Sequence, residues 1–218
     1  MKPEINSSAQ TYSYLALRRA VGWIGILLPF VLLLGSGLLF HGRFALITIS
    51  QYYYTGMRNV LVGSLCAIGL FLFYYRGYDK WDNWTGNIAG ICAVCIAWFP
   101  TTETGSPDIT GEVHIASATL FFLSLACYSL FLFTRKGPSP TRNKMKRNRV
   151  YVICGVAMLV CLLAMLVFFG FFQGRHPDST FAFWAETTAL VAFGISGLTK
   201  GGTLYPDENE QINTASLP

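Results

Sequence analysis

The stretch "HIASATLFFLSLACYSLFLFTRKGPSPTRNKMKRNRVYVICGVAMLVCLLAMLVFF" (residues 114–169) decides the fold. It consists of two long apolar runs joined by fifteen residues, "RKGPSPTRNKMKRNR" (135–149), that hold seven of the chain's 16 Lys and Arg. A helix needs about 20 apolar residues to cross a hydrocarbon layer of about 30 Å. No water satisfies backbone groups inside that layer, so a run of this kind must bond its backbone within itself, as a helix. A short, strongly basic connection between two such runs is the mark of a cytoplasmic membrane loop.

The rest of the chain has the same texture. Of its 218 residues 53% are hydrophobic and 12% charged, against about 25% charged in soluble domains. No polar stretch is long enough for a separate soluble core. Six runs are expected to cross as helices, at 20–40, 58–75, 84–100, 113–134, 150–172 and 181–199. The expected fold is therefore all-α, a polytopic membrane bundle of six transmembrane helices. Residues 1–19 form a cytoplasmic segment, 20–200 the bundle and 201–218 a disordered cytoplasmic tail. The second and third runs are short, and the third contains Asn87. Pro29 should kink the first. The N-terminal segment is too long and polar for a signal peptide, so the first run is expected to be retained.

Charge sets the expected orientation. Counted by alternate segments, 13 basic residues lie on one side and three, Arg43, Arg58 and Arg175, on the other. The positive-inside rule then places both termini in the cytoplasm and the protein in the inner (plasma) membrane. The net charge of +5 does not point to nucleic acid. The basic segment is short, tied at both ends to membrane helices and free of interleaved aromatics, and anionic headgroups are its natural partners. All six cysteines fall in apolar runs, where they pack as small hydrophobes, "CAVC" (92–95) included. "NWT" (83–85) matches a glycosylation acceptor but lies on the cytoplasmic side of this topology.

On the outward side, "ISQYYYTGMR" (49–58) interrupts the apolar texture. "FALITIS" (44–50) is too short to span, so with Tyr52, Tyr53 and Tyr54 it is expected to lie on, or dip into, the membrane interface. The aromatics are either an interfacial belt or, with Arg58, the mouth of an outward-facing pocket. Glu186 sits five residues into the sixth run, where a carboxylate facing lipid would be expensive. Leu190, Gly194 and Gly197 share its face, and glycines mark close helix contact. Glu186 should thus face the bundle, paired with Arg58 or His114, as a structural ion pair or as a functional group. His114, Ser117, Phe121, Ser124 and Tyr128 form a stripe at helical spacing, read first as interhelical hydrogen bonding. Gly86 and Gly90 form a G-x-x-x-G suited to close packing within the chain or between copies. In "YRGYDKWDNWTG" (75–86), Asp79 and Asp82 alternate with Arg76 and Lys80 as in a salt-bridged turn.

The segments "SQYYYTGMRNVLVGSLCAIGLFLFYYRGYD" (50–79), "AGICAVCIAWFPT" (89–101) and "HIASATLFFLSLACYSLFLF" (114–133) resemble an uncharacterised family of bacterial multi-helix membrane proteins. A more distant likeness is to the superfamily of membrane hydrolases that contains alkaline ceramidases and adiponectin receptors. That likeness implies a metal held by three histidines, two of them paired on a late helix. Here His41, His114 and His176 are scattered and the sixth run has no histidine pair, so no hydrolase residues carry over.

The expected function is that of an integral membrane protein holding a lipid or small amphiphile in an outward-facing polar pocket around Tyr53, Arg58, His114 and Glu186. No cofactor or metal is implied, membrane lipids are the expected partners, and the sequence leaves open whether a second copy of the chain is another. The alternatives are a metal-dependent hydrolase of lipid amides or esters and a small transporter using Glu186. No catalytic residue is assigned.

Overall fold

The computed structural model describes residues 7–75, 79–102, 108–135 and 141–206. These form six α-helices: α1 (Ser7–Leu39), α2 (Arg58–Tyr74), α3 (Lys80–Trp98), α4 (Ile109–Cys127), α5 (Arg142–Val167) and α6 (Phe181–Lys200). A short 3-10 helix (Ser50–Tyr54) precedes α2, and single π-turns extend α4 to Leu132 and α5 to Phe172. No strand occurs among the described residues.

Every expected run is a helix. Four are long and apolar enough to cross a membrane: Leu15–Leu39, Ile109–Leu132, Arg142–Phe172 and Phe181–Lys200. This is a multi-pass, all-helical membrane protein. The other two fall short for separate reasons. At 17 residues, α2 rises only about 26 Å. In α3 the first turns carry Asp82, Asn83, Thr85 and Asn87, which dilute its apolar content. At the other extreme α1 begins at Ser7, well before the expected boundary at residue 20. No Gly or Pro occurs between residues 7 and 19, and Ala9, Ala16, Leu17, Arg18 and Arg19 are good helix formers, so nothing stops the helix there.

Each helix packs on its neighbours in sequence and α6 returns to α1, closing a ring, while α4 also touches α6. Short connections from α2 onward make successive helices antiparallel neighbours, and the longer 40–57 segment joins α1 to α2. Glycines permit the closest approaches. A Cβ on Gly194 would lie 2.5 Å from the Gly22 carbonyl oxygen, and one on Gly90 2.8 Å from that of Gly69. The glycine face read from Glu186 to Gly197 therefore meets α1, and the Gly86/Gly90 pair serves α2–α3 packing inside the chain.

The two ends of the ring differ in charge. At one end Arg18 donates to Tyr75 Oη (2.8 Å) and Arg19 to the Gly201 carbonyl (2.8 Å). Asp79 caps α3 in a reciprocal capping box with Asp82. Backbone N–H groups of that first turn hold the Asp79 carboxyl below its ordinary range, with Arg135 adding to the effect. Both carboxylates pair with Arg135 from the end of α4, at 2.9 and 3.1 Å. The ion pair expected inside the α2–α3 turn is thus a tie between helices; Arg76 lies outside the described residues. The opposite end carries the 40–57 segment and the starts of α4 and α6.

Candidate functional site

Residues 40–57 are the least regular described part of the chain, and α6, α4 and the segment's own side chains bond to them. Phe183 donates its backbone N–H to the Ile47 carbonyl (2.8 Å). Glu186 Oε2 accepts from the Ile49 N–H at 2.5 Å. Gln51 Oε1 accepts from the Ile47 N–H at 3.1 Å. Irregular backbone near membrane depth is tolerated only when protein groups satisfy it, and here α6 and the loop's own side chains do so. Tyr52 anchors the segment: it is 0% exposed, it packs on Phe183 at 6.0 Å between ring centroids, and its hydroxyl donates to the Phe44 carbonyl. Burial pushes its phenol up to about 12. Of the three tyrosines expected at the interface, Tyr52 is therefore core, Tyr53 half-buried and Tyr54 exposed.

His114 joins this segment to the end of α3. Its Nδ1 lies 2.7 Å from the Phe99 carbonyl and its Nε2 2.8 Å from Ser50 Oγ. A carbonyl only accepts, so Nδ1 carries the proton, and in the neutral ring Nε2 accepts the Ser50 hydroxyl hydrogen. The rest of the α4 stripe, Ser117, Phe121, Ser124 and Tyr128, is buried with His114, as its spacing implied. Tyr128 Oη donates to the Asp82 carbonyl at 2.8 Å.

Between this loop, α4 and α5 lies a cavity of about 350 Å³. Its wall at the loop end is polar: Thr48, Ser50, Gln51, Thr101, Thr102, His114, Gln173 and Glu186. Further along α4 and α5 the wall is apolar, with Ala118, Phe122, Leu162, Met165, Leu166 and Phe169. His114 and Phe122 are eight residues apart on one helix, about 12 Å along its axis. The polar wall presents both kinds of hydrogen-bonding group. Among the described residues Thr48 Oγ1 is buried without a partner, and with Gln51 Oε1 accepting from Ile47 the amide NH2 is the group left to donate. Ser50 Oγ, its hydrogen given to His114, and the Glu186 carboxyl offer acceptors.

Of the four residues expected to form the pocket, the structure brings two together. His114 and Glu186 line the cavity, whereas Tyr53 and Arg58 do not. Arg58 instead stacks on Tyr53, its guanidinium 4.1 Å from the ring centroid, and donates to the Tyr53 hydroxyl. Among the described residues Glu186 makes no ion pair, with Arg58 or any other cation. Its partner is a backbone N–H, which residue chemistry alone does not reveal. His41 and His176 are exposed, and no three His, Cys, Asp or Glu side chains among the described residues are grouped to hold a metal. Sequence reasoning missed Thr48, Ser50 and Gln51 as wall residues, although "TISQ" is the polar step at which the apolar run fails. It also missed the apolar wall from α5, which nothing distinguishes from lipid-facing helix.

No family model matches the chain, and no solved structure matches it. Over 110 residues the chain is 32% identical to NADH-quinone oxidoreductase subunit N of Azobacteroides pseudotrichonymphae genomovar. CFP2, a match covering 47% of this chain and 22% of that protein.

Proposed function

We propose that this protein binds a small membrane amphiphile in the cavity between the 40–57 segment, α4 and α5. The observation that carries the reading is the two-part wall. A polar head would exchange hydrogen bonds with Thr48, Ser50, Gln51 and Glu186, and a short tail would lie along Phe122, Leu162, Met165 and Phe169. Apolar pockets with a few convergent polar groups are the usual form of a small-molecule site. In this reading the basic end faces the cytoplasm and the cavity opens toward the outer leaflet.

The test is extraction and mass spectrometry of small molecules bound to the purified protein, with Ala118→Trp as the comparison. Ala118 lines the cavity and is half-buried, so an indole there fills the tail region. The bound amphiphile should be lost from the variant while its helical content and melting temperature stay close to the parent's. An equal yield of bound molecule from both proteins would refute the site.

A second reading follows from the partial similarity to a subunit of an NADH-quinone oxidoreductase. It makes the amphiphile a quinone, whose ring carbonyls would accept from Thr48 and Gln51. Added quinone would then stabilise the protein against heat, and Thr48→Val with Gln51→Leu would abolish that shift.

A further inference from the structure

At the basic end, far from the cavity, the seam between α4 and α5 opens into a groove of about 650 Å³. Its flanks are the apolar side chains of Leu130, Met145, Val152 and Ile153, and Asn148 and Arg149 stand above Val152 and Ile153. Three observations converge there. First, Asn148 is buried and its Nδ2 donates to the Thr134 carbonyl at 2.8 Å, whereas its Oδ1 is buried with no partner among the described residues. The amide cannot be turned round to cure this, because Oδ1 would then face another acceptor. The site therefore lacks a hydrogen-bond donor.

Second, Arg149 is exposed, and no carboxylate among the described residues pairs with it. Third, these two residues stand at the edge of the apolar zone. From Val150 to Gly174 the chain carries no charge, while Lys144, Lys146, Arg147 and Arg149 crowd the turns before it. Helical spacing puts Val152 below Asn148 and Ile153 below Arg149, one turn deeper. Polar groups at headgroup level thus stand over exposed aliphatic side chains at acyl-chain level; Ile153 is 68% exposed.

We propose that this groove is a phospholipid site. The lipid phosphate is held by the Arg149 guanidinium, a headgroup N–H or O–H donates to Asn148 Oδ1, and an acyl chain lies along Leu130, Val152 and Ile153. The chemistry selects headgroups that carry both an anionic phosphate and a hydrogen-bond donor. Phosphatidylethanolamine and phosphatidylglycerol qualify. Phosphatidylcholine does not, because its quaternary nitrogen has no hydrogen to give. The site shares no residue with the cavity, so either can fail without the other.

The delipidated full-length protein would be offered each of the three lipids, with matched acyl chains, and bound lipid counted by native mass spectrometry. Phosphatidylethanolamine and phosphatidylglycerol should be retained several-fold better than phosphatidylcholine. Arg149→Gln should lower retention roughly tenfold, the loss of one charge-assisted hydrogen bond. Ile153→Trp, at an exposed position, should block the groove without touching the core. Asn148→Leu should erase the preference over phosphatidylcholine; if it fails to fold through loss of the Thr134 bond, the other two variants decide. Equal retention of the three lipids, or undiminished retention by Arg149→Gln or Ile153→Trp, overturns the site. Displacement of the lipid by excess inorganic phosphate would assign Arg149 to free anions and overturn the lipid.

Discussion

Glu186 shows how a single residue can be found for one reason and used for another. Its cost in an apolar helix marked it, and it does face inward; its partner, however, is the Ile49 N–H of a loop 137 positions away in sequence. That contact exists only because residues 40–57 fold back over the start of α6, and neither hydropathy nor helical spacing encodes such a return. Two substitutions separate charge from hydrogen bonding. Glu186→Gln keeps a carbonyl oxygen that can accept from Ile49, so it should leave stability close to the parent's. Glu186→Leu strands the buried N–H and should cost about 1–3 kcal/mol, read as a lower melting temperature in detergent. With no ion pair to Arg58, Glu186→Gln and Arg58→Gln should add independently within about 0.5 kcal/mol. A larger coupling between them would restore the ion pair. His114 was legible in the same partial way: the stripe placed it inward, but Phe99 and Ser50, which occupy both its nitrogens, come from elements that only the packed ring brings near.

At the scale of elements the sequence says most, because hydropathy and helix-breaking residues act locally. The predicted runs match α2, α4 and α6 closely, and α1 and α5 begin well before their runs because membrane boundaries are not helix boundaries. Helix pairing was less legible. Glycines flagged close contacts without naming the partner, and the structure supplies α1 for Gly194 and α2 for Gly90. These contacts separate two kinds of glycine. At Gly194 a methyl group would meet the Gly22 carbonyl oxygen and Ile26 Cγ1, both at 2.5 Å. A helix backbone cannot give way as a flexible side chain can, so Gly194→Ala should destabilise by about 1–3 kcal/mol. At Gly63 a Cβ meets nothing within 4 Å, and the position is exposed in the middle of α2. There alanine gains helix propensity, and Gly63→Ala should be neutral or stabilising by up to about 1 kcal/mol. Thermal unfolding of the two variants side by side would check both signs; equal effects would mean that α1 and α6 are not packed as closely as described.

For the whole molecule, the ring explains why the apolar half of the cavity escaped the sequence. A cavity depends on how far apart α4 and α5 stand where Ala118 and Phe122 face Leu162 and Met165, a property of the assembled ring that no local pattern records. Topology depends on charge, which is additive along the chain. The structure gathers Arg18, Arg19, Arg135, Lys144 and Arg147 at one end through bonds to Tyr75, Gly201, Asp79, Phe133 and Tyr205. The helix α5 with its π-turn, Arg142–Phe172, is 31 residues long, about 46 Å at helical rise and so longer than the roughly 30 Å hydrocarbon layer. With the uncharged stretch that starts at Val150 set in the layer, the excess would fall at the basic start, in "RNKMKRNR", with Lys146 at the membrane surface and Gly174 beyond the far end. Cysteines introduced at these two exposed positions should therefore react with an impermeant maleimide from opposite faces. The positive-inside rule assigns Lys146→Cys to the cytoplasm and Gly174→Cys to the outside. Intact cells should label only Gly174→Cys, and inverted vesicles only Lys146→Cys. The reverse pattern would turn the protein over and place the cavity toward the inner leaflet. Labelling of both from one face would mean that α5 does not cross, and would remove the membrane-spanning wall on which the proposed amphiphile site depends.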